Sequence, residues 1–436
     1  MKTLNDIIEK AKSYLPNQSL ELIKKAYDYS AELHKDQVRL SGEPYINHPI
    51  ETAYTLAELK MDEYCISAGL LHDVLEDTLV SYEELSKEFG EEIAQLVDGV
   101  TKIGKIQFTS KADRRAENYR KMLIAMAKDI RVIIIKLADR LHNIKTLDFQ
   151  PPDKREAIAR ETLEIYTPIA NRLGMAKIKS ELEDLSFKYI KPEVYEYLRA
   201  EVDKRIAQRG DYVERVKEII KKLLADHNIQ CEVSGRPKHL YSINQKMERQ
   251  KISLDQIYDL IAFRIIVKSI KECYEVLGII HSQWKPVPGR FKDYIAVPKP
   301  NMYQSLHTTV IGPEGERIEI QIRTEEMHRI AEFGIAAHWK YKGHKDNSGF
   351  DFWLDKMRTL LENPDSQSIE AFDSLNKEKQ SNEREASRRW GEGASPSLTR
   401  RFAPHPHILI APDVRPETKG RIAIRKRIRS GSEARM

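Results

Sequence analysis

Candidate chemistry begins at His72-Asp73, with Glu76 and Asp77 one turn later. In Gly69-Leu70-Leu71-His72-Asp73-Val74-Leu75-Glu76-Asp77 the apolar residues fall between the polar ones. Read as one helix, the i, i+4 spacing pairs His72 with Glu76 and Asp73 with Asp77 on nearly one face. Further ligand types lie upstream in Asn47-His48-Pro49 and downstream in Lys136-Leu137-Ala138-Asp139-Arg140-Leu141-His142-Asn143. Together His48, His72, Asp73 and Asp139 make a mixed nitrogen and oxygen set. Such a set suits Mn, Fe or Zn better than Ca and leaves coordination positions for water and a phosphate oxygen. Ligand softness does not choose among the three metals. A lone His-Asp pair is most often a surface pair. Here the third and fourth ligands, Asn143 four residues after Asp139, and the apolar residues around each motif outweigh that reading. The chemistry indicated is metal-assisted hydrolysis.

A second set suits phosphate binding. Gly235-Arg236-Pro237-Lys238-His239 is expected between a strand and a helix carrying Lys246, which brings two or three cations to one turn. Asp259 is expected to open a strand over 260–267, and Glu319 lies in Ile318-Glu319-Ile320-Gln321-Ile322-Arg323. Carboxylates on neighbouring strands of one sheet can share a Mg ion. Between them, Arg290-Phe291-Lys292-Asp293-Tyr294 and Pro298-Lys299-Pro300-Asn301-Met302-Tyr303-Gln304-Ser305-Leu306-His307 mix cations, amides and tyrosines. A site for a purine base with phosphates requires that mixture.

The elements that must position these residues divide the chain. From Thr3 to about Tyr197 apolar residues recur at three and four spacings, as in 20–33, 50–59, 92–100 and 160–173, and predict an all-helical domain. Pro49 and Pro168 are placed to open or kink helices, and Gly42 and Gly90 separate them. The segment 101–118, poor in large apolar residues and rich in Lys and Arg, reads as a mobile loop near phosphates. One long charged helix is expected over 201–227. Beyond it the period changes, with strands at 230–234, 261–267, 293–297, 307–311 and 317–322 and helices at 241–250 and 270–283. A last helix is expected over 350–361.

The chain of 436 residues is long enough for two or three domains, and 41% hydrophobic with 32% charged residues is ordinary for a globular protein. No run of about eighteen apolar residues occurs, and the start Met1-Lys2-Thr3-Leu4-Asn5-Asp6 lacks the apolar core of a signal peptide. A cytoplasmic location with no membrane partner is expected. Cys65, Cys231 and Cys273 are far apart, without metal spacing, and read as reduced packing residues. The net charge of +5 is misleading as an average: residues 381–436 carry 13 Lys and Arg against 6 Asp and Glu, leaving the preceding chain at −2. This Arg- and Pro-rich tail, poor in aromatics for base stacking, reads as disordered rather than as an RNA-binding arm.

Residues 1 to about 375 resemble the catalytic half of the RelA/SpoT homologue family. The resemblance is carried by His48-Pro49, His72-Asp73-Val74-Leu75-Glu76-Asp77, Leu137-Ala138-Asp139-Arg140, Gly235-Arg236-Pro237-Lys238 and Tyr303-Gln304-Ser305-Leu306-His307. It implies a multidomain α and α+β protein. An all-α HD-type hydrolase domain (1–196) would be followed by a linking helix region (197–224), a mixed-sheet, nucleotidyltransferase-like α/β synthetase domain (225–345), a C-terminal helix (346–380) and the basic tail (381–436). The implied enzyme is bifunctional. It transfers pyrophosphate from ATP to the 3′-OH of GDP or GTP, and it hydrolyses the products ppGpp and pppGpp back to GDP or GTP and pyrophosphate.

By the same resemblance His48, His72, Asp73 and Asp139 hold Mn, Glu76 and Asp77 orient or deprotonate water, Arg39 stacks on the guanine, and Asn143 and Thr146 hold the ribose and base. In the synthetase domain Asp259 and Glu319 serve Mg, with Glu319 also activating the acceptor hydroxyl. Arg236, Lys238 and Lys246 would bind ATP phosphates, with Arg264 on the adenine side. Tyr303 would stack on the acceptor guanine, with Lys299, Asn301 and His307 near its phosphates. Arg290-Phe291-Lys292-Asp293 is similar to the basic form found in bifunctional members, which disfavours the alternative of a hydrolase whose second domain only senses nucleotide. Leu40 stands where many members have Lys or Ser. Longer members continue into TGS, helical and ACT domains that this chain does not contain, so binding to ribosome or tRNA is not expected, nor to DNA. Because opposed activities running together would waste ATP, the linker 197–224 is expected to couple the two sites.

Overall fold

The computed structural model describes residues 1–104, 129–208, 210–257, 260–299 and 301–339. Most of the basic loop, the helix expected at 350–361 and the tail lie outside the described residues, as does Asp259.

Helices fill the first part: Leu4–Lys12, Asn17–Leu33, Asn47–Glu58, Glu63–Leu71, Val74–Asp77, Tyr82–Phe89, Glu91–Gly104, Ile130–Lys145, Pro152–Glu161, Thr167–Arg172 and Ala176–Ile190. Local chemistry sets several starts. Thr3 with Asp6, and Ser81 with Glu84, form reciprocal capping boxes, while Asp62 accepts from the Cys65 N–H. Pro49 sits in the first turn of its helix, where its missing N–H has no partner to lose. Before Pro168 the chain widens to a π turn, Thr162–Tyr166, because that proline has no N–H to continue the i→i−4 ladder. At the centre lies Ile130–Lys145, buried along Ile133, Ile134, Ile135, Leu137, Ala138, Leu141 and Ile144. Its last two turns present Lys136, Asp139, His142 and Asn143 to one side.

The single helix expected through His72–Asp77 is interrupted. The helix ends at Leu71, His72 and Asp73 occupy a turn, and Val74–Asp77 is a separate short helix. The long helix expected over 201–227 is likewise two, Pro192–Gln208 and Gly210–Ala225. No helix among the described residues is long and apolar enough to cross a membrane.

Five strands form one sheet, β1 (Glu232–Pro237), β2 (Ile261–Val267), β3 (Lys292–Asp293), β4 (Leu306–Ile311) and β5 (Arg317–Thr324), in the order β1-β2-β5-β4-β3. Only β2 and β5 run parallel; the other pairs are antiparallel. β1 extends through Arg236 and Pro237, so Arg236 lies on a strand and not in the turn expected after one. β3 is shorter than expected because Asp293 turns back on itself, accepting from the Ile295 and Ala296 N–H groups.

Register then sorts the side chains. Ser234, Arg264, Gln321, His307 and Lys292 pair in one row across the sheet, and Arg236, Ala262, Glu319 and Thr309 in the next. Residues two apart share a face, so both rows lie on one side. The other side buries Val233, Phe263, Ile265, Leu306, Val310, Ile318, Ile320 and Ile322 against Val216, Ile220 and Leu224 and the helix Ile270–Gln283.

The sheet's last helices return to the helical part. Ile335 and Ala336 join its core, the Ile335 N–H donates to the Leu173 carbonyl at 2.9 Å, and Asn301 Nδ2 donates to the Asn171 carbonyl at 3.0 Å. Gly334 makes this approach possible. It sits at φ 57° and ψ −131°, and a Cβ there would overlap the Leu173 carbonyl oxygen and come within 2.7 Å of the Met175 nitrogen. Gly334→Ala is therefore expected to destabilise the chain by about 2–3 kcal/mol or more. A denaturation midpoint unchanged from the parent would show that the junction yields freely.

Candidate functional site

The helical part gathers an imidazole and carboxylate cluster. His48, from the first turn of its helix, and His72, from the break after Leu71, face each other with their Nε2 atoms 3.2 Å apart. Asp139 Oδ1 lies 3.1 Å from His48 Nε2 and 3.8 Å from His72 Nε2; Asp73 Oδ2 lies 3.6 and 3.2 Å from the same two atoms. His48, His72 and Asp139 are buried and could hold a metal ion. The turn at His72-Asp73 presents both consecutive residues to the cluster.

Neighbours fix the donor atoms. His72 Nδ1 donates to the Gly69 carbonyl at 2.8 Å, which turns Nε2 toward the cluster. His142 does the same for His48. Its Nδ1 receives Arg39 Nη1 at 3.0 Å and His48 Nδ1 at 2.7 Å, so it must be the acceptor and His48 the donor. Burial, then the nearby His48 and Arg39, push the His142 pKa down to about 3, which keeps it neutral for that task. Tyr45 donates to Asp73 Oδ2 at 2.8 Å and lies 2.6 Å from Asp77 Oδ2. Lys136 Nζ holds Asp139 Oδ2 at 2.7 Å.

Charge follows the same logic. Burial penalises an imidazolium at both histidines. At His48 this lowers the pKa; at His72 the carboxylates of Asp73 and Asp139 outweigh it and raise the pKa to about 9. Burial alone would raise Asp139, yet Lys136 and the two histidines bring it well below the usual carboxylate range. A buried group of two ionised carboxylates and two imidazoles aimed through Nε2, of which His72 must release its proton to a cation, is the donor chemistry of a divalent cation site.

Beside the cluster opens a pocket of about 280 Å³ lined by Arg39, Lys136, Asp139, Arg140, Asn143 and Thr146, among others. Asn143 ties the two regions together, accepting from Arg39 Nη2 at 2.7 Å and donating to Asp139 Oδ1. Leu40 also lines the pocket and is exposed. Arg39, Asn143 and Thr146 are thus brought together beside the cluster. Asp77 reaches it through Tyr45, whereas Glu76 is exposed on the short helix. Tyr45, Lys136 and His142 were not singled out from the sequence. His142, inside a quoted motif, and Tyr45, three residues before His48, carried the signal.

On the polar face of the sheet, Lys238 Nζ pairs with Glu319 Oε2 at 3.0 Å and Gln321 Nε2 donates to Glu319 Oε1 at 3.1 Å. Burial would raise the Glu319 pKa, but Lys238 and these hydrogen bonds lower it, so the carboxylate is ionised. Tyr303 OH and His307 Nε2 are hydrogen-bonded at 2.7 Å, and burial lowers the His307 pKa to about 4. Lys299 Nζ stands 4.4 Å from the Tyr294 ring centre and 5.2 Å from that of Tyr303. Arg264 Nη2 meets Glu332 Oε1 at 3.0 Å, and Lys246 lies on the helix Leu240–Gln250. Asn301 is the exception, its side-chain amide being used on Asn171 of the helical part. Glu332 and the buried Arg323 had no marking in the sequence; only the return of the helix Glu325–Phe333 over the sheet reveals them.

A family profile described as an HD domain matches residues 26–176, and one described as a region found in RelA / SpoT proteins matches 235–346. Over 335 residues the chain is 58% identical to a GTP pyrophosphokinase of Myxococcus xanthus, which covers 76% of this chain and 44% of that protein. It is 51% identical over 358 residues to the guanosine-3′,5′-bis(diphosphate) 3′-pyrophosphohydrolase of Aquifex aeolicus, covering 81% and 51% of the two. It is 49% identical over 347 residues to the bifunctional (p)ppGpp synthase/hydrolase SpoT of Escherichia coli, covering 80% and 49%. The chain spans about half the length of these curated relatives. The two matched regions contain the buried His/Asp cluster and the cationic sheet face, and with this identity running through both, the chain belongs to the RelA/SpoT homologue family.

Proposed function

We propose that this chain both makes and destroys guanosine 3′-pyrophosphates. The sheet face transfers pyrophosphate from ATP to the 3′-OH of GDP or GTP, and the helical cluster hydrolyses ppGpp or pppGpp to GDP or GTP and pyrophosphate. The observation that carries this reading is the presence of both sites in one chain, a buried His/Asp cation site beside a basic pocket and an ionised carboxylate among cations on a sheet.

In the helical site His48, His72, Asp73 and Asp139 would hold Mn. A cation there supplies Lewis-acid polarisation of a phosphate oxygen and a more acidic water. The protein's own residues do the rest. Arg140 and Lys136 offset phosphate charge at the pocket, with Arg39 toward the guanine and Asn143 and Thr146 toward the ribose and base. Asp77, linked to Asp73 through Tyr45, would orient water, and Glu76 would be the second carboxylate to take its proton.

On the sheet, Glu319 takes the proton of the 3′-OH. The oxygen attacks the β-phosphorus of ATP, the bond to the α-phosphate oxygen breaks, and AMP leaves. Mg would be held by Glu319 with Asp259. Arg236, Lys238 and Lys246 bind the phosphates, Arg264 faces adenine, Tyr303 stacks on guanine, and Lys299 and His307 lie toward the acceptor phosphates. Lys238 holds Glu319 ionised until substrate arrives, which keeps the base ready at neutral pH.

Incubation with ATP and GDP in Mg buffer, followed by addition of Mn, tests both halves by anion-exchange chromatography. AMP and a guanosine species of higher charge are expected first, then loss of that species with release of pyrophosphate. Absence of any new species in the first step would refute the synthetase half.

A further inference from the structure

Arg236 is held by a chain of hydrogen bonds that starts in the helical part. Asp184, on the helix Ala176–Ile190, accepts from His239 Nδ1 at 2.8 Å through Oδ2 and from the Tyr241 backbone N–H at 2.9 Å through Oδ1. With Nδ1 protonated, the lone pair of the ring is on Nε2, and Arg236 Nη2 donates to it at 2.7 Å. The opposite tautomer would set an Nε2–H against a guanidinium N–H, two donors with no acceptor between them. On its other side Arg236 faces Glu332, whose Oε1 lies 3.8 Å from Arg236 Nη1, 3.0 Å from Arg264 Nη2 and 3.3 Å from Arg323 Nη2. Three guanidiniums thus surround one carboxylate. Each like charge pushes the others apart, so Arg236 needs a second anchor to keep its place on the phosphate face.

We propose that Asp184 is a positioning residue for pyrophosphate transfer, acting through the His239 tautomer to aim Arg236 at the triphosphate of ATP. The inference rests on the proposed synthetase reading. It also makes a helix of the helical part answerable for an ATP contact on the sheet, by a route other than the 197–224 linker.

Two substitutions at one position separate positioning from mere support. Asp184→Asn keeps the oxygen for the Tyr241 N–H but presents an amide N–H to His239 Nδ1, which forces the wrong tautomer. Asp184→Ala removes both partners and leaves the ring free to adopt the right one. Binding of a non-hydrolysable ATP analogue to the whole chain, measured by calorimetry, is expected to weaken about ten-fold or more in Asp184→Asn and clearly less in Asp184→Ala. KM for ATP should rise in step with kcat little changed, and ppGpp hydrolysis by the same preparations should stay at the parent level. A structural role predicts the reverse order, with alanine the worse variant and both activities falling together; that result, or an unchanged affinity in Asp184→Asn, overturns the proposal. If the parent binds the analogue but makes no ppGpp, the activity reading falls while the affinities still decide the role of Asp184. A parent that does not bind it overturns both.

Discussion

Asp73→Asn is expected to lower ppGpp hydrolysis roughly a thousand-fold while leaving ppGpp synthesis by the same molecule unchanged. The substitution preserves volume and still offers Tyr45 an oxygen, but it removes one of the two negative charges facing His48 and His72 at 3.6 and 3.2 Å. A cation site loses several kcal/mol of charge stabilisation by that change, and each 1.4 kcal/mol is about a factor of ten in rate. Asp139 is the less clean target. Its Oδ2 is the counter-charge of the buried Lys136, so Asp139→Asn strands an ammonium and adds an instability of about 3–5 kcal/mol to the loss of the ligand. Hydrolysis by Asp73→Asn within ten-fold of the parent at saturating Mn would remove Asp73 from the cation site.

Glu319→Gln should have the complementary effect, a loss of synthesis of about 10²–10⁴-fold with hydrolysis intact. The glutamine keeps an oxygen for Gln321 and leaves the sheet register undisturbed, but it cannot take the proton of a ribose hydroxyl. Its pairing with Lys238 also disappears, which frees that ammonium for phosphate and keeps KM for ATP from rising. Comparable synthesis rates in parent and variant would mean that the base lies elsewhere, with Asp259 the next carboxylate to substitute. Together the two substitutions separate the activities, because each alters one site and leaves the other as an internal measure of folding.

Much of the site was legible because its residues are close in sequence to others that mark them. His48, His72, Asp73 and Asp139 stand out as ligand types among apolar neighbours, and the two predicted periods, 3.6 and then 2, separate the helical part from the sheet. Where the reading missed, a tertiary demand had overridden a local one. The spacing of His72 and Glu76 suggested one helix face, yet His72 and Asp73 occupy a turn that presents both to the cluster, while Glu76 on the following short helix is exposed. Asn301 sits within a segment rich in nucleotide-binding types, but its amide closes the contact with Asn171.

By itself the sequence determined the inventory of chemistry: which imidazoles, carboxylates and cations are available, which class of element carries each, and the family to which their spacing belongs. Only the tertiary structure decided which nitrogen of each histidine faces the cation site, that Tyr45 links Asp73 to Asp77, and that Asp184 and Glu332 bracket Arg236. The reason is physical. A residue's capacity to bind or ionise resides in its side chain, but its tautomer, its charge and its aim are set by partners most of which lie tens of residues away along the chain and only a hydrogen bond away in space.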